Sequence, residues 1–314
     1  MIKKNKIILL TYKNRSGSTF LLNKLDKYKD ICSVSEGGGI VKLLDNPDES
    51  FTESSFNSIL RKISNPKDKL FSWNLFNEDL TGLKNCITNW EAFQYILQVY
   101  KNKNKPESSY IIFKHPRINS IIKNFGYDFF NKNEVYLIFL VRDGRAIYAS
   151  SKFNKQSTKN IPMEVNPFLS AKGWRTYLIN IENNIKKISS KSFIIIKYED
   201  LVGKYEETIF KVISFLGCKR DLISSSLLSK NLHKNQRHLH PNIDKRADIS
   251  LVNNWKKKLS KKEIIAFQYK NTEHLENYGY KILLFDYFEF NKNMYWMFCI
   301  LKSFWFKLKS FYKK

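Results

Sequence analysis

A basic, hydroxyl-rich turn near the start of the chain carries the residue types with the clearest chemical potential. Residues 7–20 read IILLTYKNRSGSTF, so a short apolar run of β-strand character breaks into a polar turn before a second apolar stretch begins. In that turn Gly17 permits close approach of the backbone, and Arg15 supplies a planar cation. Three hydroxyl side chains flank the glycine: Ser16, Ser18 and Thr19. With the free N–H groups of a helix that starts there, this combination predicts a phosphate-binding turn.

The same turn departs from the pattern of nucleoside-triphosphate-binding loops. That pattern reads G-x-x-x-x-G-K-[ST], and the chain has neither its first glycine nor its Gly-Lys pair. A strand-to-helix turn that binds no ligand would have a similar composition. Taken alone, the turn therefore leaves a phosphate site and a purely structural turn as alternatives.

A second candidate phosphate contact lies in residues 135–150, VYLIFLVRDGRAIYAS. The apolar run predicts a buried strand that delivers Arg142 at its carboxyl end, where open α/β sheets bind their ligands. Ser150 follows eight residues later, about two turns along the next predicted helix. The alternative is a structural arginine that pairs with Asp143 or Asp200.

Composition indicates a folded and strongly basic protein. The 314 residues include 24 Phe and 17 Tyr and are 43% hydrophobic, which excludes a largely disordered chain. The formal net charge is +25, but only nine of the 54 basic residues are arginine, and the lysines are spread over nearly every segment. This distribution favours a solvated basic surface, so we expect no nucleic-acid partner. The four cysteines form no C-x-x-C pair, which argues against a zinc or redox motif and fits a reducing cytoplasm.

The order of apolar runs predicts an α/β fold with a parallel sheet. Four runs have the character of buried strands: 7–10, 110–113, 135–141 and 193–197. Apolar residues at spacings of three and four predict helices after them: 21–28, 118–125, 146–153, 168–188 and 206–216. This alternation indicates a P-loop-like three-layer α/β/α domain over residues 1–280, with a central parallel sheet of four to five strands.

Two segments fall outside the alternation. Residues 45–109 are rich in Asn, Ser, Pro and Lys, with helical patches at 56–63 and 90–100, and predict a helical insertion between the first two core strands. The segment 281–314 packs aromatic residues between lysines and predicts an amphipathic tail. Such a tail either lies on an anionic membrane surface or packs on the core or on a second subunit.

A late helix is also predicted within the main domain. Ser260 and Glu263 have the spacing of a capping box, and the apolar pattern that follows predicts a helix over 264–275 that ends near Gly279.

Four ordered motifs resemble those of the PAPS-dependent sulfotransferases. RSGSTFL (15–21) is similar to the family's loop for the 5′-phosphosulfate, and VRDGRAIYAS (141–150) to its 3′-phosphate segment. FKHPR (113–117) resembles the K-x-P segment of the tyrosylprotein and carbohydrate branch, and YEDLV (198–202) the family's Y-E-D-L-V strand end. The sequence RSGS also favours that branch over the cytosolic phenol and steroid enzymes.

The resemblance implies that PAPS is the sulfuryl donor and that 3′,5′-ADP is the product. It implies that the turn holds the 5′-phosphate through these residues: Ser16, Gly17, Ser18, Thr19 and Phe20. It assigns the 3′-phosphate to Arg142 and Ser150, with a further contact from Arg246 in the basic segment 245–260. Tyr198 would line the nucleotide pocket, whereas Trp255 is expected to anchor the core.

Sulfuryl transfer needs stabilisation of the leaving oxygen and a base for the acceptor hydroxyl. By resemblance, the cations Arg15 and Lys114, with Ser18, would stabilise that oxygen. Glu36 and His115 are the two candidates for the base, and each matches the catalytic base of a different branch. We favour Glu36, because the three glycines behind it predict a loop that approaches a ligand closely.

The resemblance thus implies sulfuryl transfer to a hydroxyl acceptor. The basic surface and the tail suggest a saccharide or a lipid-linked saccharide, with the enzyme cytoplasmic or peripheral at a membrane. Two alternatives remain: a P-loop-like small-molecule kinase, and a non-catalytic basic protein that binds membranes or nucleic acid.

Overall fold

The computed structural model describes residues 6–126, 128–154, 161–222, 248–285 and 292–311. Within them the chain forms one sheet of parallel strands, which are β1 (Lys6–Tyr12), β2 (Ile31–Val34), β3 (Tyr110–Lys114), β4 (Val135–Val141) and β5 (Phe193–Lys197). The five strands lie in the order β2-β3-β1-β4-β5. The predicted α/β/α fold with a central parallel sheet is confirmed.

Helices connect the strands and cover both faces of the sheet. Those before β4 are α1 (Ser18–Leu25), α2 (Glu53–Ile63), α3 (Asn89–Asn104), α4 (Ile118–Ile121) and α5 (Phe129–Lys132). Those after it are α6 (Gly144–Phe153), α7 (Pro167–Ile185), α8 (Tyr198–Gly203), α9 (Tyr205–Leu216), α10 (Trp255–Lys258), α11 (Lys261–Gln268), α12 (Thr272–Asn277) and α13 (Lys292–Phe311). Short 3₁₀ segments cover Ile40–Leu44, Lys69–Trp73, Glu78–Asn85, Ile122–Asn124, Ser190–Ser192 and Ile249–Leu251.

The continuous apolar run of β1 is explained by its central place in the sheet. Ile7 and Leu9 face a core shared with α3, α7 and the insertion, whereas Ile8 and Leu10 face a second core shared with α1 and α9. Successive side chains of a strand point to opposite faces, so a strand covered on both sides needs apolar residues at every position.

The strand register brings the predicted site residues to one edge of the sheet. Leu10 of β1 pairs with Lys114 at the end of β3, and Tyr12 pairs with Leu140 of β4. The turn after β1, the end of β3 and the end of β4 therefore lie side by side. This is the carboxyl edge, where parallel α/β sheets bind ligands.

The insertion packs against the sheet and shares its hydrophobic core. Helices α2 and α3 contain the two predicted helical patches. Trp73, at the end of the 3₁₀ segment Lys69–Trp73, makes edge contacts with Tyr100 of α3 and Phe113 of β3, with ring centroids 5.2 and 6.3 Å away. These contacts fix the segment beside the carboxyl end of β3.

Two sequence predictions of secondary structure were wrong. The short strand β2 was not predicted, so the insertion follows the second strand of the chain and precedes the third. The late helix is divided into α11 and α12, because Lys270 adopts a left-handed conformation with φ 63° between them. The side-chain amide of Asn271 donates to the Phe267 carbonyl at 2.7 Å and stabilises this break.

The segment after 291 forms α13, which packs one side on the domain. Cys299 is only 2% exposed, and the ring of Tyr295 lies 6.2 Å from that of Phe168 in α7. The opposite side exposes large apolar side chains, among them Met294, Met297, Leu301 and Phe304. No helix in the described part of the chain has the length and apolar character needed to cross a bilayer.

Candidate functional site

The turn after β1 has the tight geometry expected of an anion-binding loop. Gly17 precedes α1 with φ 87°, and Arg15 is left-handed with φ 73°. An added Cβ at Gly17 would lie 2.4 Å from the ring of Tyr198, so only glycine fits beneath that ring. Gly17 stands at the N-cap position of α1, and no side-chain cap is formed there within the described residues. The turn therefore presents backbone N–H groups and the positive end of the helix dipole, both suited to a phosphate.

Ser16 shapes this turn from within. Its N–H and its hydroxyl both bond to the Lys13 carbonyl, at 3.1 and 2.6 Å, and the side chain is buried. The amides of Gly17, Ser18 and Thr19 are thus the more suitable predicted phosphate donors, since the Ser16 amide is already used.

The two predicted phosphate motifs meet at Arg15. Its Nε donates to Ser150 Oγ of α6 at 3.1 Å, and Arg142 Nη1 donates to the Arg15 carbonyl at 2.8 Å. The guanidinium of Arg142 also lies 4.0 Å from the ring centroid of Tyr198, a cation–π contact. Burial, and then the nearby charge of Arg142, lower the pKa of Arg15. Two arginines packed this closely favour a bound anion.

Arg142 has an unused buried donor. Its Nε is buried and has no hydrogen-bond partner within the described residues. A buried N–H without a partner costs about 1–3 kcal/mol, so it marks a place where a ligand atom would be stabilising.

The second arginine of the VRDGRA motif, Arg145, is held by other groups of the protein. Arg145 pairs with Asp143 at 2.8 Å, donates to Gln268 Oε1 at 2.8 Å and to the Lys281 carbonyl at 2.9 Å. The ring of Trp255 lies 4.3 Å from its guanidinium carbon. Trp255 is therefore a buried anchor, as predicted.

Glu199 is likewise held by hydrogen bonds within the protein. It accepts from the Asp143 N–H at 3.0 Å and from the Tyr280 hydroxyl at 3.1 Å, and its burial raises its pKa. These bonds hold the start of α6, and hence Ser150, in place.

A second group of polar side chains lies at the end of β3. Lys114 Nζ donates to Thr19 Oγ1 of the turn at 2.7 Å and lies 3.7 Å from Glu36 Oε1. Its side chain is only 4% exposed, and burial lowers the pKa of its ammonium group. Lys114 thus joins the predicted phosphate turn to the predicted base.

Glu36 has more partners than the sequence indicated. The Tyr12 hydroxyl donates to its Oε1, and Lys69 Nζ donates to its Oε2. Burial alone would raise the pKa of Glu36, but Lys114, Lys69 and these hydrogen bonds hold it at about 2. The carboxyl group is therefore ionised at neutral pH, as a general base requires.

The glycines behind Glu36 approach protein side chains. An added Cβ at Gly37 would lie 2.8 Å from Leu70 and from Trp73, and one at Gly39 would lie 2.6 Å from Lys62. Gly37 and Gly39 therefore allow close packing against side chains of the insertion, where the sequence predicted close approach to a ligand. Gly38 alone of the three has open space beside it.

His115 lies beside this group. Its ring is parallel to that of Phe113, with centroids 6.4 Å apart, and its Nδ1 accepts from the Arg117 N–H at 3.2 Å. Burial lowers the pKa of His115 to about 4, against the opposing effect of Glu36. The imidazole is neutral at physiological pH.

The remaining predicted residues are placed as follows. Ser18 is buried at the start of α1, and Phe20 packs against the second core, with Lys24 Nζ 4.9 Å from its ring centroid. Arg246 lies outside the described residues. The structure adds Tyr12 and Lys69, neither of which was predicted as a site residue.

Comparison with known proteins agrees with this arrangement. The sulfotransferase domain family matches residues 4–279, and the chain belongs to that family. It is a sulfotransferase. No curated protein matches the sequence.

Two solved structures show the same fold. A sulfotransferase domain from the curacin biosynthetic pathway is 17% identical, with a TM-score of 0.53 over 89% of this chain and 99% of its own. One from the olefin synthase of Synechococcus PCC 7002 is 18% identical, with a TM-score of 0.56 over 90% of this chain and 98% of its own.

The residues present fit a bisphosphorylated nucleotide. The backbone of the Gly17 turn offers N–H donors for one phosphate, and the buried Nε of Arg142 offers a donor for another. The hydrogen bond from Arg142 to the Arg15 carbonyl shows that the two groups are adjacent.

Proposed function

We propose that this chain transfers the sulfuryl group of PAPS to a hydroxyl acceptor, with Glu36 as the base. The observation that carries the proposal is the meeting of the Gly17 turn with Arg142 and Ser150, since it supports one nucleotide held at both phosphate ends.

The proposed roles follow from these positions. The amides of Gly17, Ser18 and Thr19 hold the 5′-phosphate, while Arg142 and Ser150 hold the 3′-phosphate. Tyr198, stacked on Arg142, lines the nucleotide pocket. Phe20 and Arg246 complete the predicted contacts.

Chemistry proceeds by in-line displacement. The acceptor oxygen forms a bond to sulfur, Glu36 accepts the hydroxyl proton, and the bond between sulfur and the bridging phosphate oxygen breaks. The electron pair leaves with 3′,5′-ADP, whose new charge is stabilised by Lys114, Arg15 and Ser18. Lys114 suits this role because it bonds to Thr19 of the turn and lies on the Glu36 side.

Glu36 is preferred to His115 because of its contacts. The carboxylate is held beside Lys114 by Tyr12 and Lys69, whereas the Nδ1 of His115 already accepts a hydrogen bond from the Arg117 N–H. His115 remains the alternative base.

For the acceptor we propose a saccharide or lipid-linked saccharide. The exposed apolar side of α13 and the basic surface support a peripheral position at an anionic membrane, on the cytoplasmic side.

The experiment is incubation with PAPS labelled in the sulfuryl group and a cell extract. Label is expected in a glycan or glycolipid fraction. A melting temperature raised by PAPS and unchanged by ATP supports the transferase, whereas the reverse supports a kinase. The non-catalytic alternative is supported if the protein binds DNA or anionic vesicles in a salt-dependent way and neither PAPS nor ATP changes its melting temperature.

A further inference from the structure

Both oxygens of Glu36 are already occupied, and the two sides of the carboxylate differ. Oε1 accepts from Tyr12 and lies 3.7 Å from Lys114 Nζ, while Oε2 accepts from Lys69 Nζ. An acceptor hydroxyl must reach one of these oxygens to lose its proton.

Among the three side chains that contact the carboxylate here, the one on Oε2 is by far the most exposed. Tyr12 is 3% exposed and the Lys114 side chain 4%, whereas the Lys69 side chain is 44% exposed. An incoming acceptor therefore meets the carboxylate where Lys69 lies and must share or displace that ammonium group.

The acceptor's charge decides the cost of this exchange. A neutral acceptor that moves Lys69 away from Glu36 breaks an ion pair and offers no replacement. An acceptor with its own anionic group gives Lys69 a new partner. The hydroxyl of that acceptor can then replace the Lys69 ammonium group at Glu36 Oε2.

The surroundings of Lys69 suit such a group. Lys62 of α2 lies close to Gly39, with its Nζ 3.2 Å from where an added Cβ would be. Nothing lies within 4 Å of the corresponding position at Gly38, so there is open space beside that glycine in the loop that follows Glu36. The Lys69–Trp73 segment is anchored beside Glu36, because the indole N–H of Trp73 donates to Ser35 Oγ at 3.1 Å.

We propose that Lys69 is a specificity-determining residue that selects hydroxyl acceptors carrying an anionic group, a carboxylate, sulfate or phosphate, near the hydroxyl that is sulfated. This inference rests on the proposed function of Glu36 as the base. Once Lys69 pairs with the acceptor, Glu36 keeps Tyr12, Lys114 and the nearby His115 as its neighbours and loses one cation, so it becomes a stronger base.

The test divides a cell extract by charge. The extract is separated on an anion exchanger at neutral pH into a retained acidic pool and an unretained neutral pool. Each pool is incubated with labelled PAPS and the full-length enzyme, and the initial rate of labelling is measured. Four enzymes are compared: wild type, Lys69→Met, Lys69→Arg and Lys211→Met.

Lys211 provides the matched control because it is an exposed lysine on α9, which packs against the second core. Lys211→Met removes one positive charge, as Lys69→Met does. Binding of 3′,5′-ADP and the melting temperature verify that each variant is folded, and Lys69→Gln replaces the methionine variant if the latter does not fold.

We expect wild type to label the acidic pool. Lys69→Met should lower the rate by about tenfold or more, the size expected for loss of a charged hydrogen bond, while Lys69→Arg and Lys211→Met stay within about threefold of wild type. Label in the neutral pool, or an unchanged rate with Lys69→Met, overturns the inference and leaves the transferase function intact. No label in either pool, with 3′,5′-ADP still bound, overturns the proposed function and the inference with it.

Discussion

Arg15 Nε donates a 3.1 Å hydrogen bond to Ser150 Oγ, across 135 residues of sequence. This bond joins the turn after β1 to the second turn of α6. Since Arg142 also donates to the carbonyl of Arg15, two motifs that are distant in sequence form one cationic cluster at the carboxyl edge of the sheet. One nucleotide can therefore contact both.

Gly17→Ala tests the geometry of the phosphate turn. The substitution introduces a Cβ 2.4 Å from the Tyr198 ring at φ 87°. We expect a loss of about 1–3 kcal/mol in the free energy of unfolding, with weakened 3′,5′-ADP binding. Gly126→Ala is the control, because nothing lies within 4 Å of its added Cβ. That variant should remain within about 1 kcal/mol of wild type in urea unfolding; equal effects of the two substitutions would contradict the assignment.

Arg145→Ala separates the structural arginine from the proposed ligand-binding one. Removing this buried cation leaves Asp143 without its ion-pair partner and Trp255 without its stacked guanidinium. We expect a loss of about 3–5 kcal/mol in urea unfolding. Arg117→Ala removes a half-exposed pair with Asp45 and should cost about 1 kcal/mol or less. A stable Arg145→Ala protein would show that its network is dispensable.

Glu36 should make stability depend on pH in the acid range. Its folded-state pKa of about 2 is below the ordinary 4.5, so its contribution is present above pH 4.5 and is lost as the pH falls through about 2. The shift corresponds to about 3 kcal/mol. Urea unfolding of wild type and Glu36→Gln should show a wild-type advantage at pH 6 that shrinks at pH 3. A difference that does not change with pH would mean that Glu36 is not ion-paired in the folded protein.

Variants of the two candidate bases should differ in turnover. Glu36→Gln should lower kcat about 10²- to 10⁴-fold, while His115→Asn should stay within about tenfold of wild type. Both should bind 3′,5′-ADP normally. With Glu36 at a pKa of about 2 and His115 at about 4, kcat at saturating PAPS should have no acidic limb between pH 5 and 8. A large loss of kcat in His115→Asn, with kcat retained in Glu36→Gln, would assign the base to the histidine.

The sequence predicted the parts of the fold that repeat a simple pattern. β1, β4 and the turn between β1 and α1 were recognisable because buried parallel strands are continuously apolar and Gly17 punctuates the turn. β2 was missed because four residues, ICSV, carry too little pattern to identify an edge strand. The break between α11 and α12 depends on the left-handed Lys270, a residue type that gives no such signal.

The site could be predicted only where a motif marks it. Arg142 and Ser150 belong to one segment, so their relation was visible in the sequence. Lys69 belongs to the insertion, which has no motif, and reaches Glu36 only because Trp73 packs on β3. Contacts of this kind depend on tertiary packing and cannot be found from residue spacing.

Calorimetric titration of 3′,5′-ADP into wild type and Arg142→Ala tests the nucleotide site most directly. Loss of the arginine should weaken binding about ten- to a hundredfold, as expected for a charged hydrogen bond to phosphate. A melting curve of the free variant verifies that it is folded, because Arg142 also contacts the Arg15 carbonyl and the Tyr198 ring. Arg220→Ala, which removes an exposed arginine stacked on Phe210, should bind as wild type does. Equal affinity in wild type and Arg142→Ala would contradict the proposal that this cluster holds the nucleotide.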